Sequence, residues 1–158
     1  MPSPSSVFLI IVLTGMAGGL INIWVRTKRN QALAEGIECN PLVYSTRAFV
    51  RQHYFMRWVS WNSRYGGGPI VSVFDGGIKV SAPQGTMLES RTLFFDATES
   101  DMWMGNVGWG GTPLFRRDCI RLRSGSRGSA VDVALSPEDG IEPLWTALLG
   151  VGVNTEPK

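Results

Sequence analysis

Three hydrophobic patterns follow one another along the chain. The first is uninterrupted: Val7 to Val25, VFLIIVLTGMAGGLINIWV, carries no charge. As a helix it would span about 28 Å, close to the roughly 30 Å hydrocarbon core of a bilayer, so it predicts one transmembrane helix. The residues before it, 1–6, read as a disordered N-terminus. Residues 26–35, RTKRNQALAE, are good helix formers and extend the helix. Gly36 stops it, and Pro41 disfavours helix at Asn40, so 36–43 reads as a hinge within a juxtamembrane segment 26–45.

The second pattern is an aromatic stripe. Within Ser45 to Tyr65, STRAFVRQHYFMRWVSWNSRY, the residues Val50, Tyr54, Trp58, Trp61 and Tyr65 recur at helical spacing. A strand would put Phe55, Val59 and Trp61 on one face with Arg51, His53 and Arg57, a mixed surface that buries poorly. The spacing therefore predicts an amphipathic helix. Two uses of it stay open: a core helix packed on the following sheet, or a basic-aromatic helix at headgroup level with its arginines toward phosphates.

The third pattern is alternation. Val71 to Phe74 and Ile78 to Ser81 flank the turn Asp75-Gly76-Gly77 and predict a hairpin. Further strands are expected at Thr92 to Ala97 and around Met102 to Met104, the latter leading into the glycine- and tryptophan-rich Gly105 to Gly111. In the late hairpin, Cys119 to Arg123 and Ala130 to Leu135, the set Ile120, Leu122, Val131, Val133 and Leu135 should be dry, and Arg121, Arg123 and Asp132 wet. Leu144, Trp145, Leu148 and Leu149 give the apolar side of a short last helix ending at Gly150 or Gly152, and residues 154–158 should fray.

The order of VSVFDGGIKVS, TLFFDATESD, CIRLRSGSRGSAVDVAL and EPLWTALL resembles the bacterial pleckstrin-homology-like domains. A short aromatic stretch such as FMRWVSWNSRY ahead of them is similar to single-pass bacterial membrane proteins that carry such a domain. The resemblance covers about Arg47 to Val153 and implies an α+β fold: a bent antiparallel sheet or half-open barrel over residues 46–153, closed by the last helix. It also implies binding and not chemistry. Relatives that recognise phosphoinositides use Lys and Arg in the first hairpin loop. Here that loop is Asp75-Gly76-Gly77 with only Lys79 after it, which argues against that specificity.

Charge orients the picture. Arg26, Lys28 and Arg29 follow the apolar run and no Lys or Arg precedes it, so the positive-inside rule puts the N-terminus outside and the domain in the cytoplasm, at the bacterial inner membrane. The absence of a basic region before the run and of a small-x-small site after it argues against a cleaved signal peptide. Gly15, Gly18, Gly19 and Asn22 form a small-residue face suited to helix packing in the membrane. Trp24, Trp58, Trp61 and Tyr65 are candidate interfacial or partner-binding rings. Arg26, Lys28, Arg29, Arg47, Arg51 and Arg57 are candidates for anionic-lipid contact.

Net charge is only +2 across 158 residues, less basic than a nucleic-acid binder usually is, and no nucleic-acid partner is expected. Cys39 and Cys119 lie far apart in the sequence and read as reduced and structural. His53 is the sole histidine. No phosphate loop, nucleophile elbow, HExxH or CxxC is present, so no catalytic residue, metal ligand or cofactor is assigned. The sequence supports a non-enzymatic interaction module, an accessory or scaffolding subunit among other integral membrane proteins in the bilayer. A sensor of anionic lipid headgroups is the alternative, and a small membrane-bound enzyme without a recognisable motif is a further one.

Overall fold

The computed structural model of this chain describes Trp24, Lys28 and residues 31–54, 57–61, 68–82, 92–108, 116–125 and 131–155, with the backbone alone for Tyr54, Arg57 and Val59. Residues 31–38 form helix α1. Eight strands follow: β1 (Leu42–Tyr54), β2 (Arg57–Ser60), β3 (Ile70–Phe74), β4 (Gly77–Ser81), β5 (Thr92–Asp96), β6 (Ser100–Gly108), β7 (Arg116–Ser124) and β8 (Val131–Pro137), and helix α2 (Ile141–Gly150) comes last. All strand pairings are antiparallel, in the order β5-β4-β3-β1-β8-β7-β6, with β2 on β1.

Strand β1 organises the sheet. Its first half pairs with β3, and from Ala48 on it pairs with β8 on one side and β2 on the other. The N–H of Trp61 donates to Val50 O at 2.9 Å, and that of Ala48 to Pro69 O at 2.9 Å. Strands β2 and β3 are thus two parts of one return strand. The ends of the strand path, β5 and β6, are joined by the corner 97–99, where Asp96 Oδ1 accepts from the Thr98 N–H at 2.8 Å and its hydroxyl at 2.7 Å.

The core lies on the inner face. Val50, Val71, Val80, Leu122, Val133 and Leu135 are fully buried, and α2 adds Leu144 and Leu148, one turn apart. Removing such a side chain from water stabilises by roughly 1.5–3 kcal/mol each. After α2 the left-handed Gly152 (φ 89°) turns the chain so that Val153 is buried and Asn154 bridges to Asp101 in parallel.

Two expectations are corrected. The aromatic stretch is not a helix, because its described residues form the hairpin β1–β2. Ala48, Val50 and Gln52 face inward and are buried, and the mixed face carrying Arg51 and His53 is partly covered, with Arg51 Nη2 donating to Trp58 O at 2.9 Å. β-branched and aromatic side chains that pack on both faces of a sheet outweigh the helical spacing. The structure is mostly antiparallel sheet with short helices, not the expected α+β fold on a membrane-spanning helix.

The single-pass anchor is corrected with it. Among the described residues no helix is long and apolar enough to cross a membrane, and the inner-membrane placement that rested on such a helix is withdrawn. Of the run Val7 to Val25, Trp24 alone is described; it is helical and exposed, and the rest lies outside the described residues.

The segment read as a hinge carries specific contacts. Ile37 is buried, Asn40 Nδ2 donates to Asp75 O at 2.7 Å, and Lys79 Nζ pairs with Glu38 Oε1 at 2.5 Å.

Candidate functional site: an arginine–tryptophan face

The alternation that buries Ile120 and Leu122 turns Arg117, Cys119, Arg121 and Arg123 to the outer face of β7. Strand register lines up Arg51, Ala134, Arg121 and Trp103 across β1, β8, β7 and β6, and Asp132, Arg123 and Asp101 one row further. Trp58 joins them from β2, opposite His53, with the two rings 5.1 Å apart.

The guanidinium of Arg121 sits between two indoles, 4.9 Å from the Trp58 ring and 4.8 Å from the Trp103 ring, and that of Arg123 lies 5.5 Å from Trp103. A cation over an indole is worth about 0.5–2 kcal/mol, depending on desolvation. Asp132 fixes the arrangement: its Oδ2 accepts from Arg121 Nη2 at 2.5 Å and from Arg123 Nη2 at 3.3 Å. On the same face Arg117 stands 4.1 Å from the Phe49 ring.

Small residues under this layer let it form. Val107, Cys119 and Ala134 make a second buried cluster, against which Trp58 packs. At Gly105 a Cβ would lie 2.9 Å from Arg121 Cδ, so glycine is what allows the arginine stem to lie close against β6. Burial pushes the Cys119 thiol up to about 11, which leaves it protonated and inert near neutral pH. Asp132 Oδ1 and Arg121 Nε are buried without partners. Both belong to side chains already bonded to each other through Nη2 and Oδ2.

Elsewhere an open cleft of about 680 Å³ lies at the start of α2, lined by Arg117, Asp118, Asp139 and Glu142 among others. Asp139 there accepts from the Tyr44 hydroxyl and from Thr46 Oγ1 at 2.7 Å. Both bonds, the Tyr44 one foremost, hold its carboxyl below the usual range. Among the described residues no three His, Cys, Asp or Glu side chains converge as metal ligands.

The residues proposed from sequence are scattered. Gly15, Gly18, Gly19, Asn22, Arg26, Arg29 and Tyr65 lie outside the described residues, as does the Arg57 side chain. Lys28 and Arg47 are exposed, and Arg51 is half-buried on the outer face. Trp61 requires correction: it is 5 % exposed within the core, so it presents nothing to a partner. Among the described residues of that set, Trp58, Arg51 and, further along β1, Arg47 lie on the outer face, and Trp58 and Arg51 join the cluster.

Trp103, Arg121, Arg123 and Asp132 were missed as site residues. Their available signal was two arginines alternating on one strand of a hairpin whose other strand carries a single acid.

Comparison with protein-family models, with curated proteins and with solved structures finds no match for this chain.

Proposed function

We propose that this chain is a non-enzymatic binding module whose arginine–tryptophan face receives an acidic segment of a partner protein. On strands β1, β6, β7 and β8 that face carries Arg47, Arg51, Arg117, Arg121 and Arg123 against Asp101 and Asp132, among the described residues. The observation that carries the reading is the sharing of one Asp132 oxygen by two guanidiniums. Two guanidiniums share that one carboxylate, and Arg123, opposite Asp101 in the register and beside Trp103, has a side chain 45 % exposed to solvent. Desolvated arginine and tryptophan side chains are the types that dominate protein interfaces.

The pleckstrin-homology-like resemblance supports the same reading as a proposal. A seven-strand antiparallel path followed by a C-terminal helix is compatible with such a domain, and domains of that kind bind and do not catalyse.

Fluorescence anisotropy with a labelled glutamate-rich peptide tests it. Binding should weaken at least about tenfold in Arg123→Glu and fall with salt. Absence of binding, or binding unchanged by Arg123→Glu, would overturn the reading. Capture of phosphatidylglycerol vesicles in preference to the peptide would replace it with anionic-headgroup recognition.

A further inference from the structure

We infer that the acidic partner segment binds as an added strand on the open edge of β6, an inference that rests on the arginine–tryptophan reading above. Strand β6 ends the sheet path, with β7 on one side only. Its start is occupied on the outer edge by the chain itself: the Asn154 N–H donates to Ser100 O at 3.1 Å, and the Met102 N–H to Asn154 O at 2.7 Å. These bonds show that even-numbered residues of β6 turn their backbone groups away from β7. Met104 and Asn106 therefore point their N–H and C=O outward, and among the described residues no backbone group meets them there.

Edges are ordinarily protected by lysine, proline or a bulge. Between Trp103 and Gly108 this one has none, and its pairing with β7 is regular throughout. Met104 is 54 % exposed. The parallel pairing at Asp101 ends there, so the following edge is continuous with a pairing the fold already uses.

Charge complementarity names the occupant. A strand added about 4.8 Å from β6 would have one set of side chains beside Trp103, over which the Arg121 and Arg123 guanidiniums already lie at 4.8 and 5.5 Å. The alternate set would lie beside Met104. The fitting ligand is an extended peptide of a partner protein with acidic and apolar residues in alternation, its backbone bonded to Met104 and Asn106 and its carboxylates meeting the arginines.

The test compares a labelled peptide of alternating glutamate and valine with the same peptide N-methylated at every residue whose N–H would face β6. Methylation removes donors and keeps charge. The inference expects about tenfold or greater loss on methylation, a similar loss in Met104→Pro, and slowed amide exchange at Met104 and Asn106 on binding. Proline is tolerated where an edge N–H faces solvent, and unchanged far-UV circular dichroism will show that the variant is folded.

Equal binding of both peptides, still abolished by Arg123→Glu, would overturn strand addition and leave the acidic-partner reading standing. Insensitivity to Arg123→Glu would overturn both. Concentration-dependent dimerisation of the chain alone that protects Met104 and Asn106 would make a second copy the occupant and overturn the inference.

Discussion

Arg121 reaches diagonally from β7 to β8 and places Nη2 2.5 Å from Asp132 Oδ2, although the residue directly opposite it is Ala134. Gly105 on β6 leaves room for the arginine stem, and Asp132 beneath the guanidinium is only 5 % exposed. The carboxylate is therefore part of a second, outer packing layer and not a solvent-facing strand residue.

The two arginines on this carboxylate should differ sharply in stability. The Arg121 side chain is 27 % exposed and lies between two rings; Arg121→Met leaves a buried carboxylate with one long hydrogen bond and should cost about 2–4 kcal/mol. Arg123 is 45 % exposed, and Arg123→Met should cost under about 1 kcal/mol. Urea midpoints of the two variants check this, and equal midpoints would refute the ordering.

Much of the late hairpin was legible because one face of each strand is dry: Ile120, Leu122, Val133 and Leu135 alternate and are all fully buried. The other face was not legible. Asp132 reads as wet until Arg121, Trp58 and Trp103 are brought over it, and Trp58 arrives from β2, far away in sequence. The aromatic stretch misled for a related reason. Its stripe continues through the hairpin tip, so Val50 and Trp61 meet across β1 and β2 instead of along one helix. Trp58 and Trp61 then fall on opposite faces of the sheet, one over Arg121 and the other in the core.

Trp61 should behave as a core residue. Trp61→Ala removes a 95 % buried indole in contact with the main cluster and should cost about 3–5 kcal/mol. Thermal or urea denaturation measures it. A variant with unchanged stability would mean that the ring is not held in the core.

Gly77 should resist a methyl group. A Cβ there would run into Ile37 Cγ1 and Cδ1 and lie 3.0 Å from Phe95 O, so the new atom is caught between α1 and the neighbouring strand. Gly77→Ala should cost about 1–3 kcal/mol and loosen α1 from the sheet. Faster limited proteolysis within 31–40 than in the parent is the expected readout, and parental stability together with parental cleavage would show that Ile37 yields at no cost.

Tyr44 and Asp139 should give stability a two-sided dependence on pH. Tyr44 donates its hydroxyl to Asp139 Oδ2, and Thr46 Oγ1 donates to Oδ1 at 2.7 Å. Bonds to the charged carboxylate favour ionisation, so the folded Asp139 pKa lies below its ordinary value. Such a group contributes stability above the unfolded carboxylate pKa, about 3.9, and loses it as pH falls through the lower folded value. Tyr44 has the opposite shift: burial first, then its bond to Asp139 and that residue's charge, raise the phenol above 10.0. Its contribution is complete below 10.0 and is lost as pH rises through the raised folded value. Tyr44→Phe removes the donated proton and the titrating phenol together. Other groups titrate alike in both proteins, so the difference in urea midpoint isolates the pair. That difference should be greatest near neutrality, shrink as pH falls below the unfolded carboxylate value of about 3.9, and shrink again as pH rises above 10.0 and the half-buried phenol is forced to ionise. A constant difference from acid to alkali would show that the Tyr44–Asp139 bond does not persist in solution.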